Sequence, residues 1–297
     1  MHDSRPILAF VLLAGISLFQ SCNSPFQVKQ DYSPRLVLYG IAFRGDSVLS
    51  IRVETNSETP SPDSTGPKEI AGLNGTLENL QTGIEEQFST YFRSGTNLLE
   101  GVVNLSPKST ITVRAGAEGY PACTATLTIL DQAIIYPAYW TTAVLRGPAT
   151  DLQDPQFTIY PSALTAAIRV TLHLRYHGTS SDGKKVDGDV AVNPSYQTDT
   201  TSYFLKIGGE ITAVEFPVSV YSDSFAVARG MIKTGVITAV VELTQIDAPL
   251  YNFYSVSNGF NDPFTMRTER PLYTNVRAGL GFVGSASRDS LSIRVYP

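Results

Sequence analysis

Two histidines four residues apart, His173 and His177, have the spacing of a metal-binding pair on one helix face. The residues around them alternate with a period of two instead, which is typical of a strand with one buried face. On a strand, residues four positions apart lie about 13 Å from each other, too far to bind one ion. Leu174 also stands where a zinc-protease helix has glutamate. We therefore predict no metal site at these histidines.

Three aspartates follow in the hairpin predicted after this strand, at Asp182, Asp187 and Asp189. Loop carboxylates are suitable ligands for Ca²⁺. Their spacing differs from that of an EF-hand, and Lys184 and Lys185 lie among them. A solvated hairpin is the favoured interpretation, and calcium binding by the Asp182–Asp189 loop stays open.

The segment Gly279–Gly284 reads G-L-G-F-V-G and matches the dinucleotide fingerprint G-x-G-x-x-G. That fingerprint requires a helix directly after the glycines, then a second strand with an acidic residue. Here the tail from 273 to 295 has the pattern of strand and turn. We therefore predict that these glycines allow a bend or bulge between strands, and we predict no cofactor.

No catalytic constellation is visible in the sequence. It has no G-x-S-x-G elbow and no P-loop. A carboxylate pair for sugar hydrolysis forms only in space, so spacing neither assigns nor excludes one. The 15 tyrosines and 14 phenylalanines suit a β core or a carbohydrate-binding face, and we expect most of them in the core. We expect Cys123 to be a buried, unreactive thiol.

The amino-acid composition indicates the fold class and argues against one class of binding partner. The chain has 297 residues, enough for two domains of ordinary size. Its net charge of −5 comes without any basic run, so nucleic-acid binding lacks an electrostatic footprint. Abundant Thr, Ser, Tyr, Val and Gly favour strands and turns over helices. We therefore expect a mainly β protein.

The N-terminal segment has the layout of a secretory signal. Met1–Arg5 is followed by an apolar run of 14 residues, Pro6–Phe19, and then by Cys22. The layout resembles a bacterial lipoprotein signal, in which cleavage precedes a lipid-bearing cysteine. We expect residues 1–21 to be the signal peptide, Cys22 to be acylated, and residues 22–33 to be a tether. Plain secretion and a short membrane anchor are the alternatives, although a span needs about 20 residues.

Two β-rich domains are expected after the tether. Residues 34–130 carry short strands at the spacing of an immunoglobulin- or transthyretin-like sandwich, near 35–43, 47–55, 72–79, 85–92, 109–115 and 122–130. Residues 131–140 are predicted as a crossover. Residues 131–297 then form a second antiparallel β domain, with strands near 167–176, 203–207, 215–221 and 236–243.

The second domain contains the clearest pattern and one helix. From Ile168 to Tyr176, the even-numbered residues are predicted to face one way and Arg169, Thr171, His173 and Arg175 the other. The helix is predicted near 247–257. Asp247 can cap it, Pro249 fits its first turn, and Leu250, Phe253 and Tyr254 share a face.

The tail carries a resemblance to a known family. Pro271–Gly284 resembles the closing signature of a Bacteroidota lipoprotein family catalogued as domain of unknown function 4249. The matching residues are Tyr273, Thr274, Asn275, Val276, Gly279, Leu280, Gly281, Phe282, Val283 and Gly284. The family often has a further glycine where this chain has Ala278. Cys22, Ser33–Gly40, Gly119–Pro121 and the predicted helix fit the family too, so the resemblance covers most of the chain after the signal.

The resemblance implies a function without an assigned reaction. It implies an envelope lipoprotein that is frequently encoded beside a TonB-dependent outer-membrane transporter. Together with the signal ending at Cys22, the β-rich composition and the lack of a catalytic constellation, it leads us to predict an outer-membrane lipoprotein, lipid-anchored on the periplasmic or the cell-surface side, that serves such a transporter as a non-enzymatic accessory or ligand-binding protein. It implies no established site residues, and we assign a structural role to Tyr273, Asn275, Gly279, Leu280, Gly281 and Gly284. Two alternatives stay open: an envelope hydrolase acting on glycans or peptides, and a structural or adhesive envelope protein.

Overall fold

A computed structural model describes residues 33–56, 68–139, 155–195, 204–258 and 273–296. The predicted signal peptide, Cys22 and nearly all of the tether lie outside the described residues. Within them, sixteen strands form three sheets, and two helices pack on these sheets. The prediction of a mainly β protein with a sandwich-type fold is confirmed.

The first eight strands lie in the region predicted as a sandwich. They are β1 (Leu36–Phe43), β2 (Val48–Thr55), β3 (Asn74–Asn79), β4 (Ile84–Gln87), β5 (Ser89–Arg93), β6 (Thr96–Val102), β7 (Thr110–Ala117) and β8 (Tyr120–Thr128). Strand β6 was not predicted, and the single strand predicted at 85–92 is divided into β4 and β5. Strand β4 belongs to the four-stranded sheet β4-β3-β7-β8, whereas β5 belongs to the large sheet.

The division falls at Phe88, which is 8% exposed in the core between the two sheets. Gly101 leaves space for its ring, since an added Cβ there would lie 2.7 Å from Phe88 Cδ1. The chain crosses from one sheet to the other at this buried ring. The surrounding core is formed by the inward residues of both sheets, including Leu38, Ile51, Leu99, Val113 and Leu127. Burial of these alternating residues is what holds the two sheets together.

The remaining strands and the two helices complete the fold. They are β9 (Ile134–Tyr139), β10 (Gln156–Tyr160), β11 (Thr165–Thr179), β12 (Lys185–Val192), β13 (Leu205–Lys206), β14 (Thr212–Glu215), α1 (Val218–Met231), β15 (Thr234–Asp247), α2 (Ala248–Asn258) and β16 (Leu280–Tyr296). Strand β9 lies in the segment predicted as a crossover. It pairs with β10 in the three-stranded sheet β14-β10-β9.

The large sheet runs through both predicted domains. Its order is β12-β11-β15-β16-β1-β2-β6-β5, with β13 paired to β11. Strand β16 from the tail pairs in parallel with β1, with Val37 opposite Leu280 and Phe43 opposite Ala286. The described residues from Pro34 onward belong to one compact unit. The sheet therefore connects the region predicted as a sandwich to the region predicted as a second domain.

The predicted alternation in β11 is confirmed. Ile168, Val170, Leu172 and Leu174 are fully buried in a second core, whereas Arg169 and Arg175 are exposed on the other face. This core lies between the large sheet, the three-stranded sheet and α1. Because the side-chain period of a strand is two, the sequence alone determines which residues share a face.

Helix α1 occupies residues where the sequence suggested a strand at 215–221. Val218, Val220 and Tyr221 are residue types that favour strands, which explains the wrong prediction from residue 218 onward. The helical signal is the recurrence of Tyr221, Phe225, Ala228 and Ile232 at steps of four, three and four. Tyr221, Ala228 and Ile232 are at most 3% exposed, and α1 packs on β11 and β12.

Helix α2 is confirmed at the predicted position. The Leu250 N–H donates to Asp247 Oδ1 at 3.0 Å, which is the hydrogen bond of an N-cap residue. Pro249 lies in the first turn, and the helix ends at Asn258. Leu250, Phe253 and Tyr254 all belong to one apolar cluster under the helix. The predicted shared face is therefore confirmed as well.

The tail segment 273–279 joins three parts of the fold. Asn275 behaves as a strand partner, because its side chain donates to the Val283 carbonyl at 2.7 Å and accepts from the Val283 N–H at 3.0 Å. Arg277 pairs through its backbone with Thr124 in β8. Val276 is 4% exposed in the sandwich core.

Two signature glycines are required by close packing. Gly281 has φ +89°, and an added Cβ would lie 2.1 Å from the Leu38 carbonyl oxygen. At Gly279 it would lie 2.9 Å from Cys123 Cβ and 3.0 Å from the Leu36 carbonyl oxygen. Larger residues at these positions would force β16 away from β1. Beside them Ala278 adopts φ +58°, a left-handed conformation that glycine adopts at much lower cost.

Among the described residues, neither helix combines the length and the hydropathy that crossing a membrane requires.

Candidate functional site

One face of the large sheet combines a group of charged side chains with a group of aromatic ones. Along β11, this is the face of Arg169, Thr171, His173, Arg175 and His177. Helix α2 covers one end, around the row Ala167, Ile246, Ala286 and Phe43 on four adjacent strands. We call this the covered end. The open end extends along β11, β12 and β15 toward His177.

The open end contains a polar stripe, defined as His173, Arg175, His177, Asp187, Asp189 and Glu242. Arg175 pairs with Glu242, and His177 pairs with Asp187. His173 lies 3.5 Å from an Asp189 carboxylate oxygen through Nδ1 and 3.8 Å from a Glu242 oxygen through Nε2. Each carboxylate of the stripe therefore lies beside a basic side chain. A shallow depression of about 590 Å³ lies over Arg175, His177 and the β12 aspartates.

The two histidines lie on a strand, as predicted, and each contacts a different carboxylate. The three aspartates of the candidate calcium loop are also separated by their partners. Asp182 lies in the turn and contacts Ser180 and Lys184, whereas Asp187 and Asp189 belong to β12. Within the part of the chain that the structure describes, no group of three His, Cys, Asp or Glu side chains is arranged to hold a metal ion.

The covered end contains a cavity of about 470 Å³ between the sheet and α2, which we call the aromatic cavity. Strands β1, β11, β15 and β16 form its floor, and α2 and Phe204 form its walls. Its lining residues are Ile41, Phe43, Arg169, Phe204, Thr244, Ile246, Leu250, Tyr254, Ala286 and Arg288. Small-molecule sites typically have roughly 300–1,000 Å³, mostly apolar walls and a few polar groups. The aromatic cavity has these properties.

Aromatic rings continue from the cavity wall into the cluster beneath the helix. Phe204 stacks on Tyr254 with centroids 5.7 Å apart and an interplanar angle of 20°. Phe253 then contacts Tyr254 at 6.0 Å and Phe282 at 4.0 Å. Such contacts favour a fixed arrangement of rings. A flat surface formed by Phe204 and Tyr254 is thus held in place at the cavity wall.

Two arginines lie at the polar side of the cavity. Arg169, Thr244 and Arg288 are direct cross-strand neighbours on β11, β15 and β16. The two arginines are therefore two strands apart, about 10 Å between Cα atoms. Arg288 Cζ lies 4.3 Å from the centroid of Phe43, a cation–π contact. Among the described residues, no carboxylate forms an ion pair with Arg288.

Asp247 supports the cavity from within the fold. It is 7% exposed and accepts hydrogen bonds from the N–H groups of Leu250 and Ser285, the latter at 2.7 Å. Burial raises the pKa of this carboxyl to about 6, and the backbone hydrogen bonds oppose the shift. Gly284 packs directly against it, since an added Cβ would lie 2.9 Å from Asp247 Oδ1. Asp247 thus fixes the start of α2 relative to β16.

A second buried acid, Asp289, is fully engaged in the fold. It pairs with Arg44 and accepts hydrogen bonds from the Ser287 hydroxyl at 2.9 Å and from the Ala133 N–H at 3.1 Å. Gln245 contacts the same carboxylate and accepts from the Ser162 N–H at 2.8 Å. These bonds attach the backbone at Ala133 and Ser162 to the large sheet. The network therefore explains why Asp289 and Gln245 are buried: they hold parts of the fold together.

Cys123 is a buried free thiol, as expected. Burial raises its pKa to about 11, so very little reactive thiolate forms near neutral pH.

The sequence located only part of this site. It identified the apolar face of α2 and the polar face of β11, which includes Arg169. It did not identify Phe204, Thr244 or Arg288, because these residues reach the cavity through the pairing of distant strands. The signature residues Gly281 and Gly284 lie in β16 next to the cavity floor, and Asn275 holds the strand from outside.

Comparisons with known proteins add little. No protein-family model and no curated protein matches the sequence. Among solved structures, the chain is similar to Escherichia coli alpha-2-macroglobulin activated by porcine elastase, with 8% identity, a TM-score of 0.24, and coverage of 73% of this chain and 19% of that chain. It is also similar to dimeric latent PorU from Porphyromonas gingivalis, with 10% identity, a TM-score of 0.20, and coverage of 74% and 19%. The chain thus spans about a fifth of each of these proteins, and TM-scores this low carry no argument about function.

Proposed function

We propose that this protein is an outer-membrane lipoprotein that binds a small ligand in the aromatic cavity and works as an accessory of a TonB-dependent transporter. The observation that carries the ligand-binding part is the cavity itself. Its volume of about 470 Å³, its aromatic walls and its two arginines are typical of small-molecule sites. Its walls come from a sheet and a capped helix, which are the rigid elements suited to holding a binding site.

The location and the partner are supported by the sequence. Residues 1–22 have the layout of a lipoprotein signal ending at Cys22, and an acylated cysteine would attach the chain to a membrane. The tail from Tyr273 to Gly284 resembles the signature of domain of unknown function 4249, whose members are frequently encoded beside such transporters. An accessory protein that captures a ligand at the membrane would raise its local concentration for a transporter.

The hydrolase alternative receives less support from the described residues. Paired carboxylates in a cleft are its requirement. The described lining of the aromatic cavity has two arginines and no acid. The acids beside the other depression, Asp187 and Asp189, each contact a histidine of β11. Asp247 and Asp289 are engaged by backbone and side-chain donors inside the fold.

One observation favours the structural or adhesive alternative. The outer face of the three-stranded sheet exposes neighbouring apolar side chains: Ile134 is 65% exposed, Tyr136 59% and Tyr160 42%. Tyr160 lies directly opposite Ile134 in the strand register. An exposed apolar row of this kind is a feature of contact surfaces. It is compatible with a transporter as the partner and with a structural envelope contact.

The test is affinity purification of the tagged full chain from native outer membranes in mild detergent, with mass spectrometry of the proteins that accompany it. We expect a TonB-dependent transporter in stoichiometric amount. A Cys22→Ser variant should be lost from the membrane fraction, which tests the lipid anchor separately.

A second pair of variants tests the exposed apolar row. Tyr136→Ser removes a ring from the row, and Val102→Ser, at a 72% exposed valine on β6, is the matched control.

Each result has a defined meaning. Recovery of the chain without any transporter contradicts the accessory role. An abundant partner that is not a transporter and is lost only with Tyr136→Ser favours the structural alternative. A transporter retained by both variants supports the proposal and places the contact elsewhere on the surface.

A further inference from the structure

The aromatic cavity combines two kinds of recognition chemistry on one small surface. Its wall is the stacked ring pair Phe204–Tyr254, and its polar side is the cross-strand row Arg169, Thr244 and Arg288. We propose that the ligand is a planar aromatic molecule that carries a carboxylate. Its ring would lie against Phe204 and Tyr254, and its carboxylate would be bound by Arg288, with the Thr244 hydroxyl beside it. This inference rests on the proposed ligand-binding function and specifies its substrate class.

The position of Arg288 supports an anionic ligand. The Arg288 Cζ lies 4.3 Å from the centre of the Phe43 ring. The guanidinium group carries five N–H donors in one plane. That planar set of donors matches the two oxygens of a carboxylate. Arg288 thus contacts the Phe43 ring, and among the described residues no carboxylate forms an ion pair with it.

The surrounding charge favours the same conclusion. Among the described residues of this sheet face, the acid nearest to Thr244 in the strand register is Glu242, in the next cross-strand row, and its carboxylate pairs with Arg175 at the open end. The described cavity lining contains two cationic side chains and no acid. Although the whole chain has a net charge of −5, Arg288 gives this lining a positive charge that no described carboxylate pairs with. A locally cationic cleft attracts anions and repels cations.

The two rings of the cavity wall favour an aromatic acid as the ligand over an aliphatic acid. Phe204 and Tyr254 are nearly parallel, with an interplanar angle of 20°, and thus present flat surfaces beside the cavity. A planar ring can stack on such a surface with an offset geometry that a flexible alkyl chain cannot adopt. An aromatic acid also loses less conformational entropy on binding than an alkyl chain does.

The experiment measures binding of matched probes to the full chain in lipid nanodiscs by isothermal titration calorimetry, with empty nanodiscs as the blank. The probes are 2-naphthoate, 2-naphthylmethanol, 2-naphthylmethylammonium and decanoate. We expect 2-naphthoate to bind at least about tenfold more tightly than the alcohol, because a charge-assisted hydrogen bond replaces a neutral one. The ammonium probe should bind most weakly.

Variants test the roles of the two parts of the site. Arg288→Gln should weaken binding of 2-naphthoate about tenfold and leave binding of the alcohol unchanged. The matched control is Arg294→Gln, an exposed arginine on the same face of β16 outside the cavity. Tyr254→Ala should weaken the naphthalene probes and have less effect on decanoate. Arg288 is exposed, so loss of folding is not expected from its replacement.

The outcomes separate this inference from the proposed function. Equal or tighter binding of the alcohol or the ammonium overturns the anionic part, and tighter binding of decanoate overturns the aromatic part. An equal effect of Arg288→Gln and Arg294→Gln overturns the assigned site. If no probe binds while a transporter still co-purifies, the inference fails and the accessory role stands. If 2-naphthoate binds through Arg288 without a transporter, the inference stands and the accessory role fails.

Discussion

At the open end of the large sheet, Arg175 pairs with Glu242 and His177 pairs with Asp187. At the covered end of the same face, Arg288 lies on the Phe43 ring, and the described cavity lining contains no acid. Both ends have arginines at equivalent positions of the strand pattern. They differ in their neighbours, which are carboxylates at one end and aromatic rings at the other. The two arginines therefore differ in what occupies them: Arg175 is paired with a carboxylate, whereas Arg288 has no described carboxylate partner.

The two ends also differ in what stabilises them. The covered end is apolar and closed by a helix, so its side chains contribute through burial. The open end is exposed to water, where ion pairs contribute little because solvent screens them. Four changes test this contrast, from the largest expected effect to the smallest.

Replacing Leu250 by alanine should lower the free energy of unfolding by about 3 kcal/mol, since this side chain is buried and its removal leaves a larger cavity. Leu250 lies on the buried side of α2 and is 1% exposed. Urea unfolding measures the loss. The matched change at the open end, Val236→Ala, removes a half-buried side chain and should cost less than about 1 kcal/mol. Equal losses at both sites would contradict the contrast.

Asp247 should make the covered end dependent on pH. Its folded pKa of about 6 lies above the ordinary value of 3.8, so the fold binds the protonated form more strongly than the unfolded chain does. Its contribution is complete below pH 4 and is lost as the pH rises through about 6. Two pKa units correspond to at most ~3 kcal/mol of unfolding free energy.

The measurement for Asp247 is urea unfolding at several values between pH 4 and 7.5, for the wild type and Asp247→Asn. Asparagine can still cap α2 but does not titrate, so the difference between the two proteins isolates this carboxyl. We expect the wild type to lose stability relative to the variant as the pH rises. Parallel pH curves would show that Asp247 does not titrate with a raised pKa.

Ala278→Gly should stabilise the segment that leads into the covered end. Ala278 has φ +58°, where an L-residue costs roughly 1–2 kcal/mol and glycine adds an entropic cost of its own of roughly 0.5–1 kcal/mol. The net gain in unfolding free energy should be about 0.5–1 kcal/mol. A thermal melt detects it as a higher midpoint. Ala213→Gly, in exposed strand backbone of β14, should destabilise instead and serves as the control.

Glu242→Gln at the open end should have the smallest effect. It removes the ionic partner of Arg175, and both side chains are about half exposed, at 46% and 50%. Exposed pairs contribute roughly 0.2–1 kcal/mol, and less at high salt. Unfolding measured at low and high salt should show a loss that decreases with salt. A salt-independent loss of several kcal/mol would mean that the polar stripe stabilises the fold as the covered end does.

The sequence was sufficient where the structure depends on local patterns. Alternation from Ile168 to Tyr176 predicted the buried face of β11, because strand geometry has a period of two. Asp247 and Pro249 predicted the start of α2, because a helix needs an acceptor for its first N–H groups. The sequence-based prediction was wrong at Val218–Met231, where residues that favour strands concealed the spacing of a helix. That helix, α1, packs on β11 and β12.

Only the tertiary structure decided which distant residues form the site. Arg169 and Arg288 are far apart in the sequence, and they flank Thr244 because β15 pairs with β11 on one side and β16 on the other. Phe43 joins them only because β16 pairs in parallel with β1. The sequence by itself determined the faces of the strands, the cap of α2 and the signal-like segment before Cys22. Strand order and register depend on how all strand and helix faces pack together, and no local sequence pattern contains that information. The cavity and its charged side chains could therefore be identified only from the folded structure.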